Sequence, residues 1–394
     1  DFIKDKELLE KRMDRVKKRM MRPRPPGAFP VSEQDQHSGL PITEYNSFVK
    51  RNVSRLQHVK LDAVSGKKAK EPIEFPDKSS DVKWAFEMTD LILGRDENSY
   101  VAIVHLDGNG MGEQLRRKLE AMKGKPYAET VQEMRKMSQR ISAGYESVFN
   151  QTIIGLMNAY PTDFWKKKTE HLPIRPLIMD GDDLTFVCLG AWGVPLAARL
   201  LEQLEQESQN SGTDGLQLSA CAGVALVHSH FPFHIGYEVA EACCKRAKKR
   251  WYEEGRVGAF LDFEWVRGSF PEHSGKDRRS AGPYRIGGSI ARKSNLHGLS
   301  VEFAELAACL SKAAGSEWPN WRLERLYSAL RGGPEQLELF LLESESRGYK
   351  LGQLLPGAVQ RPVPDAHRKL LVDALELLPM FDWKVWTFGK EGAE

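Results

Sequence analysis

The sequence predicts an α+β chain, and three observations carry that expectation. Short apolar, β-branched runs alternate with longer segments of helical period between residues 99 and 266. Two of those runs are separated only by Asp180-Gly181-Asp182-Asp183, whose Asp and Gly residues suit a tight hairpin turn. Beyond residue 299 the apolar spacing is helical almost to the end.

Taken in order, Tyr100–Leu106 (YVAIVHL) reads as a buried strand closed by Asp107 and followed by the glycine-rich turn GNGMG at 108–112. A helix from about Glu113 to Met122 and a long one from about Tyr127 to Ala159 follow. Arg175–Met179 and Leu184–Leu189 are strands on either side of the hairpin turn, and Val194–Ser208 is a helix. Leu216–Val227 is a long strand, Ile235–Glu253 a helix and Gly258–Val266 a further strand. Strand, helix, strand, turn, strand, helix, strand is the βαββαβ order of a ferredoxin-like sheet with helices on one face. Residues 267–290, rich in Gly, Ser and Arg, read as a loop or insertion.

The N-terminal part is less patterned. Residues 1–22 look helical and basic, with eight basic residues against Asp14 between Lys11 and Arg24, which suits either an RNA-binding arm or a solvated helix face. Residues 23–80 read as irregular with one short helix near 44–60, and Asp81 as the cap of a helix over 82–93. Three parts are expected: a basic N-terminal region (1–98), a central domain (99–290) and a helical C-terminal domain (291–394).

Composition excludes several classes. The 394 residues carry 57 Lys+Arg and 54 Asp+Glu, a net charge of +3, too near neutral for nucleic-acid binding by overall basicity. No apolar run approaches the ~18–20 residues that span a bilayer. Five cysteines make no disulfide framework, and adjacent Cys243 and Cys244 with the others far apart make no zinc site. No apolar leader follows the opening Asp-Phe-Ile-Lys, so a cytoplasmic location is expected; the chain does not begin with Met, which leaves its N-terminus open.

The chemistry lies in carboxylates. Asp107 ends a strand, and Asp182 and Asp183 sit in a hairpin between two others. In a βαββαβ sheet the first and third strands lie side by side, so these groups can converge. Three carboxylates at one spot repel each other unless cations bind, and hard oxygen ligands suit Mg²⁺ or Mn²⁺. Two such ions about 3.5–4 Å apart serve phosphoryl transfer. Gly-Asp-Asp alone would be an ordinary surface turn; the strand-terminal Asp and glycine loop in the right chain order favour the metal reading. GNGMG before a helix can cradle a triphosphate. It lacks the P-loop Lys-Ser/Thr, and no acidic ribose ligand follows for a dinucleotide fold. KRAKKR (245–250) puts five basic residues on one helix, mostly a solvated face, with one or two able to hold phosphates. His105, two residues before Asp107, reads as a buried, hydrogen-bonded histidine. Trp318, Trp321 and Tyr327 read as helix-packing residues, with base stacking as the alternative.

HLDGNGMG (105–112), RPLIMDGDDLTFVCLG (175–190) and LSACAGVALVHSHFPFHIGYEVAEACCKRAKKR (218–250) together resemble the palm of the polymerase/cyclase superfamily. That superfamily includes GGDEF diguanylate cyclases, class III nucleotide cyclases and the large subunit of type III CRISPR complexes. The likeness is to the second palm of that subunit and its stand-alone relatives, and Ala247-Lys248 matches the Ala-Lys pair whose lysine binds phosphate in GGDEF-type palms. The resemblance implies a magnesium- or manganese-dependent nucleotidyltransferase that joins nucleoside triphosphates into a short cyclic or linear oligonucleotide messenger for antiviral defence. It implies metal binding and catalysis by Asp107, Asp182 and Asp183, with the Gly108 carbonyl as a further ligand. Asn109, Gly110, Met111, Gly112, Gly181, Lys245 and Lys248 would hold phosphates. An effector protein responding to the product and a homodimer with facing sites are expected partners; RNA contact is not required. The alternatives are a cyclic dinucleotide cyclase of GGDEF type and a non-catalytic palm scaffold binding nucleotide or RNA and a partner protein. One position departs from the family pattern: Asp180 replaces the first hairpin glycine, and either joins the metal shell or points away. The chain shows no His-Asp nuclease motif, and its length suits a stand-alone enzyme better than a full-length subunit.

Overall fold

The computed structural model describes residues 60–61, 68–69, 83–85, 88–92, 99–160, 171–210, 216–266, 281–286, 302–356 and 361–388. The chain divides into two compact units, Asp1–Asp77 and Lys78–Glu394. In the first, β1 (Lys60–Leu61) and β2 (Lys68–Ala69) pair antiparallel, Lys60 opposite Ala69. The helices expected over 1–22 and near 44–60 lie outside the described residues, apart from Lys60 in β1.

In the second unit, β3 (Lys83–Trp84) runs parallel to β5 (His171–Leu172). This corrects the helix expected over 82–93: among the described residues Lys83–Trp84 is strand and Met88–Leu91 forms a short 3-10 helix. The Ala85 amide donates to the Leu172 carbonyl at 3.2 Å, and Ala85 and Leu91 are fully buried. Tertiary pairing has taken backbone groups that a helix would have used internally.

The main sheet has the order β10-β9-β8-β4-β7-β6. Its strands are β4 (Tyr100–Gly108), β6 (Ile174–Asp180), β7 (Asp183–Leu189), β8 (Ala220–His228), β9 (Ala259–Trp265) and β10 (Tyr284–Ile286). The inner run β8-β4-β7-β6 is the ferredoxin-like order expected from the sequence, with β4 antiparallel to both neighbours. β9 adds parallel to β8, and β10 antiparallel to β9. β10 falls within the stretch expected to be a loop; at three residues it is too short for a periodic signal.

Helices cover both faces. α1 (Met111–Ala121) and α2 (Tyr127–Ala159) connect β4 to the β5–β6 region, and α3 (Gly190–Asn210) connects β7 to β8. α2 packs on α3, and Gly193 of α3 sits so close to the sheet that a Cβ there would stand 3.2 Å from Val224 Cγ1. α4 (Phe233–Glu253) lies on the opposite face, where Val239, Ala240 and Cys243 pack with Val101, Ile103, Ala225 and Val227. The expectation of helices on one face is therefore corrected. β4 and β8 are apolar on both sides, and the side left bare by α2 and α3 needs a cover of its own.

The C-terminal helices α5 (Phe303–Ala314), α6 (Asn320–Gly332), α7 (Pro334–Ser346), α8 (Asp365–Leu377) and α9 (Trp383–Thr387) share this second unit. They are tied to the sheet layers by buried polar contacts. Asp373 accepts from the Tyr284 hydroxyl at 2.5 Å and the Ala281 amide at 2.9 Å, and Arg199 donates to the Phe388 carbonyl at 2.8 Å. Within the bundle, buried Arg322 donates to Ser344 and stacks against Trp321 and Tyr349. Trp318 is buried and donates to Gln353, and Tyr327 donates to Glu376, which supports packing roles for these aromatics. No helix among the described residues is long and apolar enough to cross a membrane.

Gly223 of β8 fixes how near α4 can come. A Cβ there would collide with the Ala240 carbonyl and the Cys244 amide and stand 2.9 Å from Cys243 Cβ. Gly223→Ala is expected to lower unfolding free energy by about 2 kcal/mol or more. Gly112→Ala, with nothing within 4 Å of the added carbon, should change it by less than about 0.5 kcal/mol. Urea unfolding of the two variants checks the contrast.

Candidate active site

The site forms where β4 ends. β4 and β7 pair from Val101↔Leu189 to Leu106↔Leu184, so the next step brings Asp107 opposite Asp183. On its other side Asp107 pairs with Cys221 and Gly108 with Ala220. The hairpin closes through Asp180↔Asp183, leaving Gly181 and Asp182 as a two-residue turn. Gly181 has φ +62°, the sign that a two-residue hairpin with glycine first requires. Gly108 is the other necessary glycine: a Cβ there would lie 2.5 Å from the Asp182 Cβ. Its absence lets the Asp182 side chain lie against the end of β4.

The loop that follows is pinned from below. The Asn109 amide donates to the Ser219 carbonyl at 2.7 Å, and its side-chain Nδ2 to Ser219 Oγ at 2.9 Å. The Tyr145 hydroxyl of α2 donates to the same carbonyl at 2.9 Å. Gly110, at φ +66°, then turns the chain into α1. From the other side of the sheet, Lys248 of α4 forms an ion pair with Asp107. The close approach at Gly223 is what lets a lysine on that helix reach the strand end.

Electrostatics couple the carboxylates. Burial chiefly, with the charge of Asp107 added, holds Asp182 and Asp183 above the ordinary carboxylate range. Lys248 opposes that rise at both. His105 is lowered, mainly by burial; its Nδ1 lies 3.0 Å from Thr185 Oγ1 and its ring meets Tyr237 edge-on at 5.6 Å. It is the hydrogen-bonded histidine expected from the sequence.

A cavity of about 310 Å³ opens over this arrangement, lined by Asp107, Gly108, Gly110, Met111, Gly112, Asp182 and Lys248. Seven of the expected site residues thus come together. Asp183 lies beside them, on the His105 side of the strand pair. Asn109 is buried and lines a larger neighbouring cavity of about 750 Å³ instead. Gly181 and exposed Asp180 stand at the hairpin tip outside the lining, and Lys245 is largely exposed in an ion pair with Glu241 at 2.9 Å.

Glu113, Trp251, Tyr252 and Arg256 complete the lining and were not expected from the sequence. Arg256 donates to Glu113 at 2.6 Å and takes a left-handed backbone, φ +64°, rare for a residue with a side chain. Glycines on either side of it, at 255 and 258, were the available signal: such a turn after a long helix marks a chain reversal held at a chosen place.

Among the described residues no three His, Cys, Asp or Glu side chains stand together as a ready metal cage. The donor set nevertheless fits a hard divalent cation. It is all oxygen, negatively charged and mutually repelling, and a cationic ammonium already sits on Asp107.

Residues 100–256 match the family described as Cas10/Cmr2, second palm domain. A solved chain from the Csm1–Csm4 cassette in complex with cA3 is similar at 14% identity, with a TM-score of 0.36, over 72% of this chain and 36% of that one. The chain thus spans about a third of the length of that relative. Comparison with curated proteins gives no match. The segment that carries the strand end, the glycine loop, the hairpin and Lys248 is therefore similar to the Cas10/Cmr2 second palm, and its α+β fold is that of a palm domain.

Proposed function

We propose that the chain is a nucleotidyltransferase that joins nucleoside triphosphates through 3′–5′ phosphodiester bonds with release of pyrophosphate. The observation that carries this is Asp182 lying against Gly108, next to Asp107, at one wall of a cavity that also holds a glycine loop and Lys248. Acidic and basic groups line it together, as a metal-bound triphosphate needs.

Asp107, Asp182 and Asp183, with the Gly108 carbonyl, would hold Mg²⁺ or Mn²⁺. When bound, such a cation supplies charge neutralisation at the phosphates and lowers the pKa of an attacking hydroxyl. Gly110–Gly112 present backbone to the phosphates without side-chain obstruction at the two glycines. Lys248 exchanges its bond to Asp107 for phosphate oxygens, and Arg256 can leave Glu113 for the same purpose. The 3′-hydroxyl gives its proton to solvent as its oxygen forms the new P–O bond at the α-phosphorus, the bond from that phosphorus to the pyrophosphate oxygen breaks, and Lys248 and Arg256 meet the charge leaving on pyrophosphate. The palm likeness supports a short oligonucleotide product, cyclic or linear, acting on an effector protein in antiviral defence. A second reading, a scaffold that binds nucleotide without turning it over, is favoured by the Lys248–Asp107 ion pair, which engages one of the three carboxylates.

Incubation with each NTP and Mg²⁺ or Mn²⁺, with products resolved by mass, decides between them. A phosphodiester product that falls by at least about a hundredfold in Asp182→Ala/Asp183→Ala is expected; a product that survives the double substitution overturns the site assignment. The carboxylates also have a signature in stability. Asp183 is held above its ordinary value of 3.8, so its ionised form weakens the folded state at neutral pH. Asp183→Asn is expected to raise Tm at pH 7, by no more than about 1 °C because the carboxylate is largely exposed and screened by solvent. That gain should shrink as pH falls through the raised pKa toward the ordinary one. Mg²⁺ should raise the Tm of the wild type more than that of the variant, which thermal melts at several pH values would show.

A further inference from the structure

Two helices each leave a pair of leucines in solvent, one turn apart. On α1, Leu115 and Leu119 are 42% and 45% exposed. On α7, Leu339 and Leu342 are 70% and 58% exposed, turned away from the buried face of Leu337, Leu341 and Ser344. No residue of α1 is buried, so the rest of the fold does not cover its apolar stripe. A single exposed leucine is ordinary; two on one helical face make a patch. The charges around the two patches differ in sign. On a helix the neighbours of a side chain stand three and four residues away. Around Leu115 and Leu119 these positions include Arg116, Lys118 and Lys123 and no acid. Around Leu339 and Leu342 they include Glu335, Glu338, Glu343 and Glu345 and no base. Glu338 and Glu345 are held by Arg361, Glu343 by Arg325 and Arg347, and Lys118 by Glu133. Arg116, Lys123 and Glu335 form no ion pair among the described residues.

We infer that α7 of one copy of this chain docks on α1 of a second copy, leucines against leucines and Glu335 against Arg116 and Lys123. The occupant is a second copy because each patch carries the charge that the other lacks. Like patches do not meet in this way: α1 on α1 opposes cations, and α7 on α7 opposes carboxylates. The contact is therefore heterologous, head to tail, and leaves one patch free at each end unless a ring closes. It differs from a dimer with facing active sites and requires no nucleotide. α1 opens at Met111, in the lining of the catalytic cavity. Assembly thus brings the partner's α7 onto the helix that the glycine loop starts.

Light scattering of the full chain without nucleotide tests this. At about 200 μM protein and about 50 mM salt the weight-average mass should be at least about 1.5 times that of the monomer, and should fall toward the monomer at about 0.5 M salt. Leu115→Ser/Leu119→Ser and Leu339→Ser/Leu342→Ser should each be monomeric alone. Mixed in equal amounts they should form a heterodimer, because each keeps the patch that the other has lost. All four leucines are exposed, so the circular dichroism of both variants should match that of the wild type. Glu335→Lys leaves both leucine pairs in place and should weaken the wild-type association at least about fivefold. A wild type that stays monomeric at low salt, an assembly unchanged in either leucine variant, or a mixture of the two that remains monomeric overturns the inference.

Discussion

Six consecutive residue pairs between β4 and β7 hold Asp107 level with the hairpin that carries Asp182 and Asp183. Everything proposed for the site depends on that register. A slip of one residue would turn Asp107 to the other face and replace Gly108 beside Asp182 with a residue that has a side chain. The register is secured by burial: Ala102, Ile103 and Val104 are almost wholly buried, as are Phe186, Val187 and Cys188 opposite them. Apolar area removed from water, at roughly 25 cal/mol per Å², thus holds charged groups where they repel one another.

That repulsion is relieved locally by Lys248, which reaches Asp107 from α4 on the same face of the sheet. Its position rests on Gly223, where α4 approaches β8 too closely for any Cβ. The same helix continues to Trp251 and then to the strained turn at Arg256, so one element supplies a wall shared by both cavities. Two glycines, at 108 and 223, therefore set the acidic and basic sides of the site by allowing backbone to come near.

The helical C-terminal part contributes at a distance. Buried Asp373 of α8 holds the Tyr284 hydroxyl and the Ala281 amide, which anchors β10 and with it Arg285. Removing that support would alter the wall of the larger cavity without touching the carboxylates. The division of labour is physical: the inner strands of the sheet carry the carboxylates, and a strand held by the C-terminal helices carries Arg285 in the wall of the larger cavity.

Much of this was legible in the residues. YVAIVHL could only be a buried strand, Gly-Asp-Asp between two strands could only be a short turn, and their order placed both at one end of a sheet. Local pattern carries such information because strand period, turn preference and chain order act within a few residues. β10 and the parallel β3–β5 pair were not legible, since each depends on partners more than twenty residues away in sequence. Lys248 and Lys245 are three residues apart in one basic run, yet one meets Asp107 and the other meets Glu241 and solvent. Arg285 bore no motif at all, and Arg256 only the flanking glycines at 255 and 258. The residues alone determined the order of the four inner strands and the acidic end of β4, because hydrophobic burial and turn geometry are local. Which cations face those acids was settled by packing, because charge acts through space and takes its partners from whichever elements the fold brings near.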